Sequence, residues 1–242
     1  MAGRLKDNLK NNPQWHHRTH LQNMELEWAH VFHDSIRGKP WLESLPLNIG
    51  RWAGNYSYFY VLCRLLNDYQ PAKIIEFGVG ESSKVVSAFL ENQLPDSQHV
   101  ILEEDEDWAA AFSDRFELSK RSEINLLPIK EKQTSDGVPY KGYDGIEAFV
   151  GSSKYDLYLV DGPKGSPNCS RYDIAVALEA IESGDEFIVV IDDHDRPGEQ
   201  ETAERVEQLL REKGLTIFSG QYIGNSSQIV IATSKYRFAT TL

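Results

Sequence analysis

The chain has 242 residues, 40% of them hydrophobic, which is enough for one sizeable α/β domain or two small ones. Its formal net charge of −12 argues against nucleic acid as a partner, because phosphate binding needs a basic face. The sequence has no apolar run of about 18 residues that could cross a membrane, and its first residues lack the apolar centre of a signal peptide. The two cysteines are too few for a disulfide framework, which favours a reducing, cytoplasmic setting. We therefore expect a cytoplasmic protein, and the lack of an apolar run predicts that it has no membrane span.

The first part of the chain is predicted to be helical. Apolar residues recur at helical spacing over residues 22–36, and a buried helix is predicted over 55–69, ending just before Pro71. We place a boundary near residue 50. Residues 1–50 are predicted to form an N-terminal helical extension or cap, and residues 51–242 the main domain.

Strand and helix patterns then alternate along the rest of the chain. Strands are predicted at 74–77, 99–102, 124–129, 155–160, 187–191, 215–220 and 228–233. Helices are predicted at 82–94, 107–120, 146–150, 172–183 and 199–213. Repeated βα units imply a parallel sheet with helices on both faces. The last two strands have no helix between them and should form an antiparallel hairpin, giving a Rossmann-like doubly wound α/β sheet.

A glycine loop directly follows the first predicted strand, in KIIEFGVGESSKVV at residues 73–86. Gly78 and Gly80 allow the backbone to approach a ligand closely, and ligands of doubly wound sheets bind beyond the carboxyl ends of the strands. Glu103 ends the second predicted strand, where an acidic side chain can accept hydrogen bonds from both ribose hydroxyls. Glu76 would repel a pyrophosphate, but it suits a ligand with positive charge such as S-adenosylmethionine.

The same loop distinguishes between two nucleotide ligands. The dinucleotide fingerprint requires a third glycine at the position where Ser83 stands. Together with the charge of Glu76, this departure favours S-adenosylmethionine over NAD. The glycine pair taken alone would also fit a tight strand-to-helix turn that binds no ligand.

Two motifs carry a family resemblance. EFGVGES at residues 76–82 resembles the first motif of class I S-adenosylmethionine-dependent methyltransferases, and VILEEDEDW at residues 100–108 resembles their second-strand motif. The resemblance implies the strand order 3-2-1-4-5-7-6 and places Asp105 and Trp108 beside the adenine. The cofactor-binding residues that it implies are Glu76, Gly78, Gly80, Ser82, Glu103, Glu104, Trp108 and Asp161.

Carboxylates follow two further predicted strands. Asp161 ends the fourth parallel strand in YDLYLVDGPKGS, and Asp192 and Asp193 end the fifth in FIVVIDDHDRPGE. Because neighbouring strands lie about 5 Å apart, we expect these side chains to converge beside the glycine loop. Unpaired, they would raise one another's pKa, and a hard divalent cation such as Mg²⁺ would relieve the repulsion. Aspartates that only cap helices or hold loops are the alternative.

The acidic residues resemble those of the cation-dependent O-methyltransferases of the catechol type. That resemblance implies Asp161, Asp192 and Asp193 as ligands of Mg²⁺ or another divalent cation, and Lys164 as the general base. His194 is the competing base, because its ordinary pKa suits proton transfer. Asp161, Lys164 and His194 are therefore the predicted catalytic residues. VDGPKG is also similar to the plant glucuronoxylan 4-O-methyltransferases and their bacterial polysaccharide-cluster relatives.

The predicted function is O-methylation of a sugar or another small hydroxylated acceptor, and the second resemblance implies surface-polysaccharide biosynthesis. Arg196 is predicted either to pair with Glu199 or to bind an acidic group such as a uronate. A glycan acceptor and a homodimer are compatible with this interpretation. Two alternatives stay open: a non-catalytic methyltransferase-like module that binds a nucleoside, and an NAD-dependent oxidoreductase or epimerase.

Overall fold

The computed structural model describes residues 13–50, 53–151 and 153–242 of the chain. The helices are α1 (Pro13–Ile36), α2 (Pro40–Glu43), α3 (Tyr56–Tyr69), α4 (Glu81–Asn92), α5 (Glu106–Ser113), α6 (Glu147–Val150), α7 (Asp173–Ala177) and α8 (Pro197–Glu212). The strands are β1 (Lys73–Phe77), β2 (Gln98–Glu103), β3 (Ser122–Leu126), β4 (Ile129–Gln133), β5 (Pro139–Tyr143), β6 (Leu157–Val160), β7 (Ile188–Ile191), β8 (Ile217–Ile223) and β9 (Ser227–Thr233). A 3₁₀-helix over Ser234–Thr241 follows the last strand.

The main sheet has seven strands in the order β3-β2-β1-β6-β7-β9-β8. Strands β3, β2, β1, β6 and β7 are parallel, and β9 pairs antiparallel with both β7 and β8. Numbered within this sheet alone, the order is 3-2-1-4-5-7-6 with the last strand antiparallel. The predicted fold class and the terminal hairpin are therefore confirmed.

Alternating side chains of the central strands enter two separate cores. Ile74 of β1 and Leu157 of β6 pack with the core on the α1, α3 and α4 face. Ile75 and Tyr158, the next residue along each strand, pack with the core on the α7 and α8 face. Successive side chains of a strand point to opposite faces, and helices cover both faces here. The central strands are therefore apolar along their whole length.

Local signals in the sequence set the helix ends. The side chain of Asn55 accepts a hydrogen bond from the Tyr58 amide at 3.3 Å and begins α3. Asp105 does the same for the Trp108 amide at 2.9 Å and begins α5. The left-handed Gln70 ends α3 directly before Pro71.

Two helices are shorter than predicted. The helix predicted over 107–120 ends at Ser113, and beyond it the Ser119 amide donates to the Ser87 Oγ at 2.7 Å, which holds the chain against α4. The helix predicted over 172–183 ends at Ala177. The chain then turns where the Asp185 carboxylate accepts from the Glu182 amide at 2.7 Å.

The predicted strand at 124–129 is two strands in the structure. β3 ends at Leu126 and β4 begins at Ile129, because the intervening Pro128 has no amide hydrogen to continue the ladder. β4 forms an antiparallel hairpin with β5, apart from the main sheet. No strand was predicted between residues 130 and 154, because the residues of this hairpin lack the apolar alternation of a half-buried strand.

The N-terminal segment packs against the sheet edge. α1 begins before the predicted residue 22, at Pro13, and the Trp28 indole N–H donates to the Ile223 carbonyl of β8 at 2.8 Å. The first twelve residues of the predicted 1–50 extension lie outside the described residues. In the described part of the chain, no helix combines the length and the apolar character that crossing a membrane requires.

Both cysteines of the chain are buried and unpaired. Burial raises the pKa of the Cys63 thiol, which lies in α3, to about 12. Burial and the neighbouring Glu201 raise the pKa of the Cys169 thiol to about 12 as well, and that thiol donates to Glu201 at 3.2 Å.

Candidate active site

A cavity of about 930 Å³ opens at the carboxyl ends of β1, β2, β6 and β7. This is the edge of a doubly wound sheet at which ligands bind, and the volume lies within the range of small-molecule sites. The predicted site residues that line it are Gly78, Gly80, Ser82, Glu103, Glu104, Trp108, Asp161, Lys164, Asp192 and Asp193. The remaining two, Glu76 and His194, are not part of this lining.

Two glycines bring the β1 loop and the β6 loop into contact. Gly78 has φ +94°, and a Cβ atom there would lie 3.3 Å from the Gly162 amide nitrogen. A Cβ at Gly162 would lie 2.9 Å from the Gly78 nitrogen and 2.8 Å from the Tyr143 hydroxyl. Any side chain would push the loops apart, and their contact keeps Asp161 beside the glycine loop.

Glu103 is held in place by backbone amides. One carboxylate oxygen accepts from Val79 N at 2.8 Å, and the other accepts from Glu104 N at 2.7 Å and Asp105 N at 2.8 Å. Burial raises the pKa of Glu103 to about 7, although these backbone hydrogen bonds oppose the shift. Trp108 donates its indole N–H to the Val79 carbonyl at 2.7 Å, while 47% of the residue remains exposed at the cavity.

Glu104 connects this end of the cavity to the β6 loop. Its Oε1 accepts a hydrogen bond from the Lys164 amide at 2.9 Å. The predicted base Lys164 is exposed at the cavity, so its ammonium group can reach the solvent. Glu104, which was predicted to bind the cofactor, thus fixes the backbone of Lys164, which was predicted to accept a proton.

Glu76 lies beneath the glycine loop, with no exposed surface. Its two carboxylate oxygens accept hydrogen bonds from the hydroxyls of Ser82 and Ser83. His99 Nε2 lies 3.0 Å from Glu76 Oε2, and its Nδ1 is 3.2 Å from the Ser122 hydroxyl. Ser82 also lines the cavity, so it stands between the buried carboxylate and any ligand there.

The three aspartates of the acidic cluster converge as predicted. Asp161, Asp192 and Asp193 each offer one carboxylate oxygen, and these oxygens all lie within 4.8 Å of one another. Burial raises the pKa of Asp161 well above its usual value, against the opposing effect of Arg171. Burial and the neighbouring Asp193 raise the pKa of Asp192 to about 6, and Asp192 also accepts from the Gln228 amide group at 3.0 Å.

Arg171 occupies the acidic cluster, and the sequence interpretation did not identify it. Its Nη2 lies 3.0 Å from Asp161 Oδ1 and 2.8 Å from Asp193 Oδ2, and its Nη1 donates to the Asp192 carbonyl at 3.1 Å. Its side chain is only 5% exposed. Burial alone would lower the pKa of Arg171, but the surrounding carboxylates outweigh it and raise the pKa further. An arginine between loop-forming residues is the only sequence signal for this role.

Arg196 approaches the same cluster from outside. Its Nη1 is 2.8 Å from Asp193 Oδ2 and 3.9 Å from Glu199 Oε1, so it contacts the predicted partner Glu199 only at long range. The Arg196 side chain is 50% exposed. It therefore differs from the buried Arg171 in its access to solvent.

His194, one of the predicted bases, does not line the cavity, whereas Tyr58 does. His194 is turned towards β8, where its Nδ1 lies 3.2 Å from the Gln221 side-chain nitrogen, and burial lowers its pKa. Tyr58 of α3 lines the cavity and is 2% exposed. Burial raises the pKa of Tyr58 well above its usual value, and the charges of Glu76 and Asp161 add to the shift.

The N-terminal segment completes the cavity wall. Glu25 of α1, Asn48 and Gly50 all line it. The Glu25 carboxylate accepts from the Tyr56 amide at 2.7 Å and the Asn225 amide at 2.8 Å, so α1 is fixed to both α3 and the β8–β9 turn. These contacts come from residues distant in sequence, and no motif signalled them.

The acidic cluster offers the oxygen ligands that a hard divalent cation prefers, but Arg171 does not fit such an ion. Its Nη2 is already within 3.0 Å of Asp161 and within 2.8 Å of Asp193. An ion held by the same two carboxylates would lie beside a buried guanidinium, where like charges repel strongly. The residues present therefore do not fit a divalent cation at this place.

Comparisons with known proteins place the chain by its fold. No family model matches it, and a search of curated proteins finds no significant match. It is similar to the cofactor-bound structure of Rv0187 from MTB, with 17% identity over 85% of this chain and 95% of that chain and a TM-score of 0.53. It is also similar to the O-methyltransferase TomG from Streptomyces achromogenes, involved in tomaymycin synthesis and solved with S-adenosylmethionine, with 18% identity over 87% and 89% of the two chains and a TM-score of 0.51. The chain thus has the Rossmann-like methyltransferase fold.

Proposed function

We propose that the chain is an S-adenosylmethionine-dependent methyltransferase that methylates an oxygen atom of a small hydroxylated acceptor. The observation that carries this proposal is a single cavity with two chemically distinct ends. Glu103 and Trp108 lie at one end, the Asp161 carboxylate lies at the other, and the glycine loop lies between them in contact with both. The fold supports the proposal, since its ligand edge is where both ends meet.

The residues at the Glu103 end suit an adenosyl group. The Glu103 carboxylate can accept hydrogen bonds from ribose hydroxyls, and the exposed face of Trp108 can pack against adenine. A Cβ atom at Gly80 would meet no described atom within 4 Å, so ligand atoms have room there. Glu76 would act on the amino-acid end through Ser82, which donates to it.

The bound cofactor would supply a methyl group on a positively charged sulfur. Transfer of that group to oxygen needs alignment and a proton acceptor more than it needs covalent catalysis. Asp161 lines the cavity next to the glycine loop, so we assign it as the acceptor of the hydroxyl proton. Lys164 is the second candidate, because it lines the same wall.

The side chains that line the cavity indicate the chemical class of the methyl acceptor. Acidic side chains outnumber basic ones around the cavity, and carboxylates accept hydrogen bonds from hydroxyl groups. We therefore propose a sugar or similar polyol, and we propose that the N-terminal cap of residues 1–50 contacts it through Glu25 and Asn48. A glycan acceptor, a role in surface polysaccharide and a homodimer remain predictions from the sequence, and no step above depends on them.

Calorimetric titration and a turnover assay test the proposal together. We expect S-adenosylmethionine and S-adenosylhomocysteine to bind with one-to-one stoichiometry and NAD not to bind. Methyl transfer from labelled S-adenosylmethionine should then appear with at least one acceptor in a panel of sugars, uronates and phenols. Cofactor binding without transfer to any acceptor would favour a non-catalytic nucleoside-binding module, and binding of NAD alone would reject the proposal.

A further inference from the structure

Arg171 is presented to the acidic cluster by an unusual backbone conformation. Arg171 has φ +59° and its ion-pair partner Asp193 has φ +58°, although neither is a glycine. Such left-handed conformations are unfavourable for residues with a side chain, and they persist only where the surroundings fix them. The side chains of these two residues contact each other, at 2.8 Å.

The loop that carries Arg171 is fixed to the start of α8. The Ser170 amide donates to the Gly198 carbonyl at 3.1 Å, and the Ser170 hydroxyl donates to Glu199 at 2.8 Å. The Thr202 hydroxyl donates to the Ser170 carbonyl at 2.6 Å. Ser170, directly before Arg171, is therefore hydrogen-bonded to α8 through both its amide and its carbonyl group. These bonds hold the Arg171 guanidinium within the cluster.

The Arg171 guanidinium balances the negative charge of the carboxylates, as a bound cation would. It contacts Asp161 and Asp193 with one nitrogen and the Asp192 carbonyl with the other. Asp192 is buried, whereas the Asp193 and Asp161 side chains are partly exposed, and bringing carboxylates this close in a partly dry site without a positive partner is strongly unfavourable. Arg171, with a side chain that is 5% exposed, is the positive partner at the centre of the cluster.

We propose that Arg171 is a built-in cation that takes the place of a divalent metal ion at the acidic cluster. It holds Asp161 in position beside the glycine loop, and it excludes an ion from the space between Asp161 and Asp193. The exclusion depends on the geometry alone. Only the corollary that methyl transfer needs no metal rests on the proposed function.

Titration with Mn²⁺ in the absence of cofactor tests the exclusion directly. Binding is followed by electron paramagnetic resonance and calorimetry on the wild type and on Arg171→Met, Arg171→Lys and Arg196→Met. The wild type should show no saturable Mn²⁺ site that depends on Asp161. Arg171→Met should gain a saturable Mn²⁺ site, with an affinity on the order of tenfold or more above any weak binding of Mn²⁺ to the wild type, because a buried like charge has been removed. That gain should disappear when Asp161→Asn is added.

The other two variants are the controls. Arg171→Lys keeps a positive charge near the carboxylates and should still exclude Mn²⁺. Arg196→Met removes an arginine that also contacts Asp193 but is 50% exposed, so it should not open the site. If both arginine-to-methionine variants behaved alike, general loss of positive charge would explain the result and the proposal would fail.

Two other results would overturn the proposal. One is a saturable Mn²⁺ site in the wild type that is lost in Asp161→Asn. The other is a folded Arg171→Met variant that binds Mn²⁺ no better than the wild type. If Arg171→Met does not fold, the wild type and Arg171→Lys decide: a melting temperature that rises with Mn²⁺ overturns the proposal, and one that is indifferent to Mn²⁺ and EDTA supports it.

Discussion

The two ends of the cavity are held together by contacts of different range. Around the glycine loop, Glu103 accepts from the amides of Val79, Glu104 and Asp105, which belong to the loop and to its own strand end. At the acidic end, Asp161 depends on the side chain of Arg171, which comes from a separate loop. A backbone donor is kept in every substitution except that to proline, whereas a side-chain donor is lost in most substitutions. The cofactor end should therefore tolerate substitution better than the acidic end.

The largest effect is expected at the acidic end. Asp161→Asn keeps the shape of the side chain but removes the proposed proton acceptor, so turnover should fall by about 10²–10⁴-fold. Cofactor affinity, measured by calorimetry, should stay close to that of the wild type. Asp136→Asn is the matched control, because Asp136 pairs with Arg205 away from the cavity lining. Equal loss of turnover in both variants would remove Asp161 from the mechanism.

At the cofactor end, Glu103→Ala should weaken binding of S-adenosylmethionine by about 1–3 kcal/mol, the range for a lost hydrogen bond to a charged group. Calorimetric titration measures the change. Asp107→Ala is the control, since Asp107 is an exposed acidic residue in the first turn of the adjacent α5. Unchanged affinity in Glu103→Ala would show that the ribose does not contact this carboxylate.

The contact between the two ends can be tested by stability. Gly162→Ala would place a Cβ 2.9 Å from the Gly78 nitrogen, so it should lower the free energy of unfolding by about 1–3 kcal/mol. Gly184→Ala is the control, because a Cβ there would meet no described atom within 4 Å. Urea denaturation compares the variants. Equal stability of the two would mean that the β1 and β6 loops separate freely.

The smallest effect is a pH dependence of cofactor binding. The pKa of Glu103 is raised to about 7, so this carboxyl is ionised above that pH and protonated below it. Only the ionised form offers all its lone pairs to ribose hydroxyls, so affinity should fall by about tenfold from pH 8 to pH 6. Glu103→Gln cannot titrate and should flatten the profile. A wild-type profile as flat as that of Glu103→Gln would contradict the assignment.

The sequence predicts well what depends on the regular periodicity of the chain. The apolar strands and intervening helices predicted a parallel sheet with helices on both faces and a terminal antiparallel hairpin, whereas the strand order was implied by the family resemblance. Convergence of Asp161 with Asp192 and Asp193 followed from the same order, since the ends of adjacent strands meet at one edge of a sheet.

Arg171 and the cap residues could not be predicted in this way. Arg171 reaches the cluster through a left-handed backbone held by hydrogen bonds from α8, and no periodic pattern encodes such a conformation. Glu25 reaches the cavity because α1 is anchored to α3 and to the β8–β9 turn. Both placements depend on contacts between residues far apart in the chain, which a single sequence does not reveal.

The two buried cysteines, Cys63 and Cys169, can serve as chemical probes of local opening and of global unfolding. A maleimide reacts with thiolate, and the pKa of each thiol is raised to about 12, so neither cysteine should label while the chain is closed. Cys63 belongs to the central helix α3, whereas Cys169 lies two residues before Arg171. Labelling of Cys169 ahead of Cys63 would therefore record local opening of the arginine loop, and simultaneous labelling would record cooperative unfolding of the whole domain.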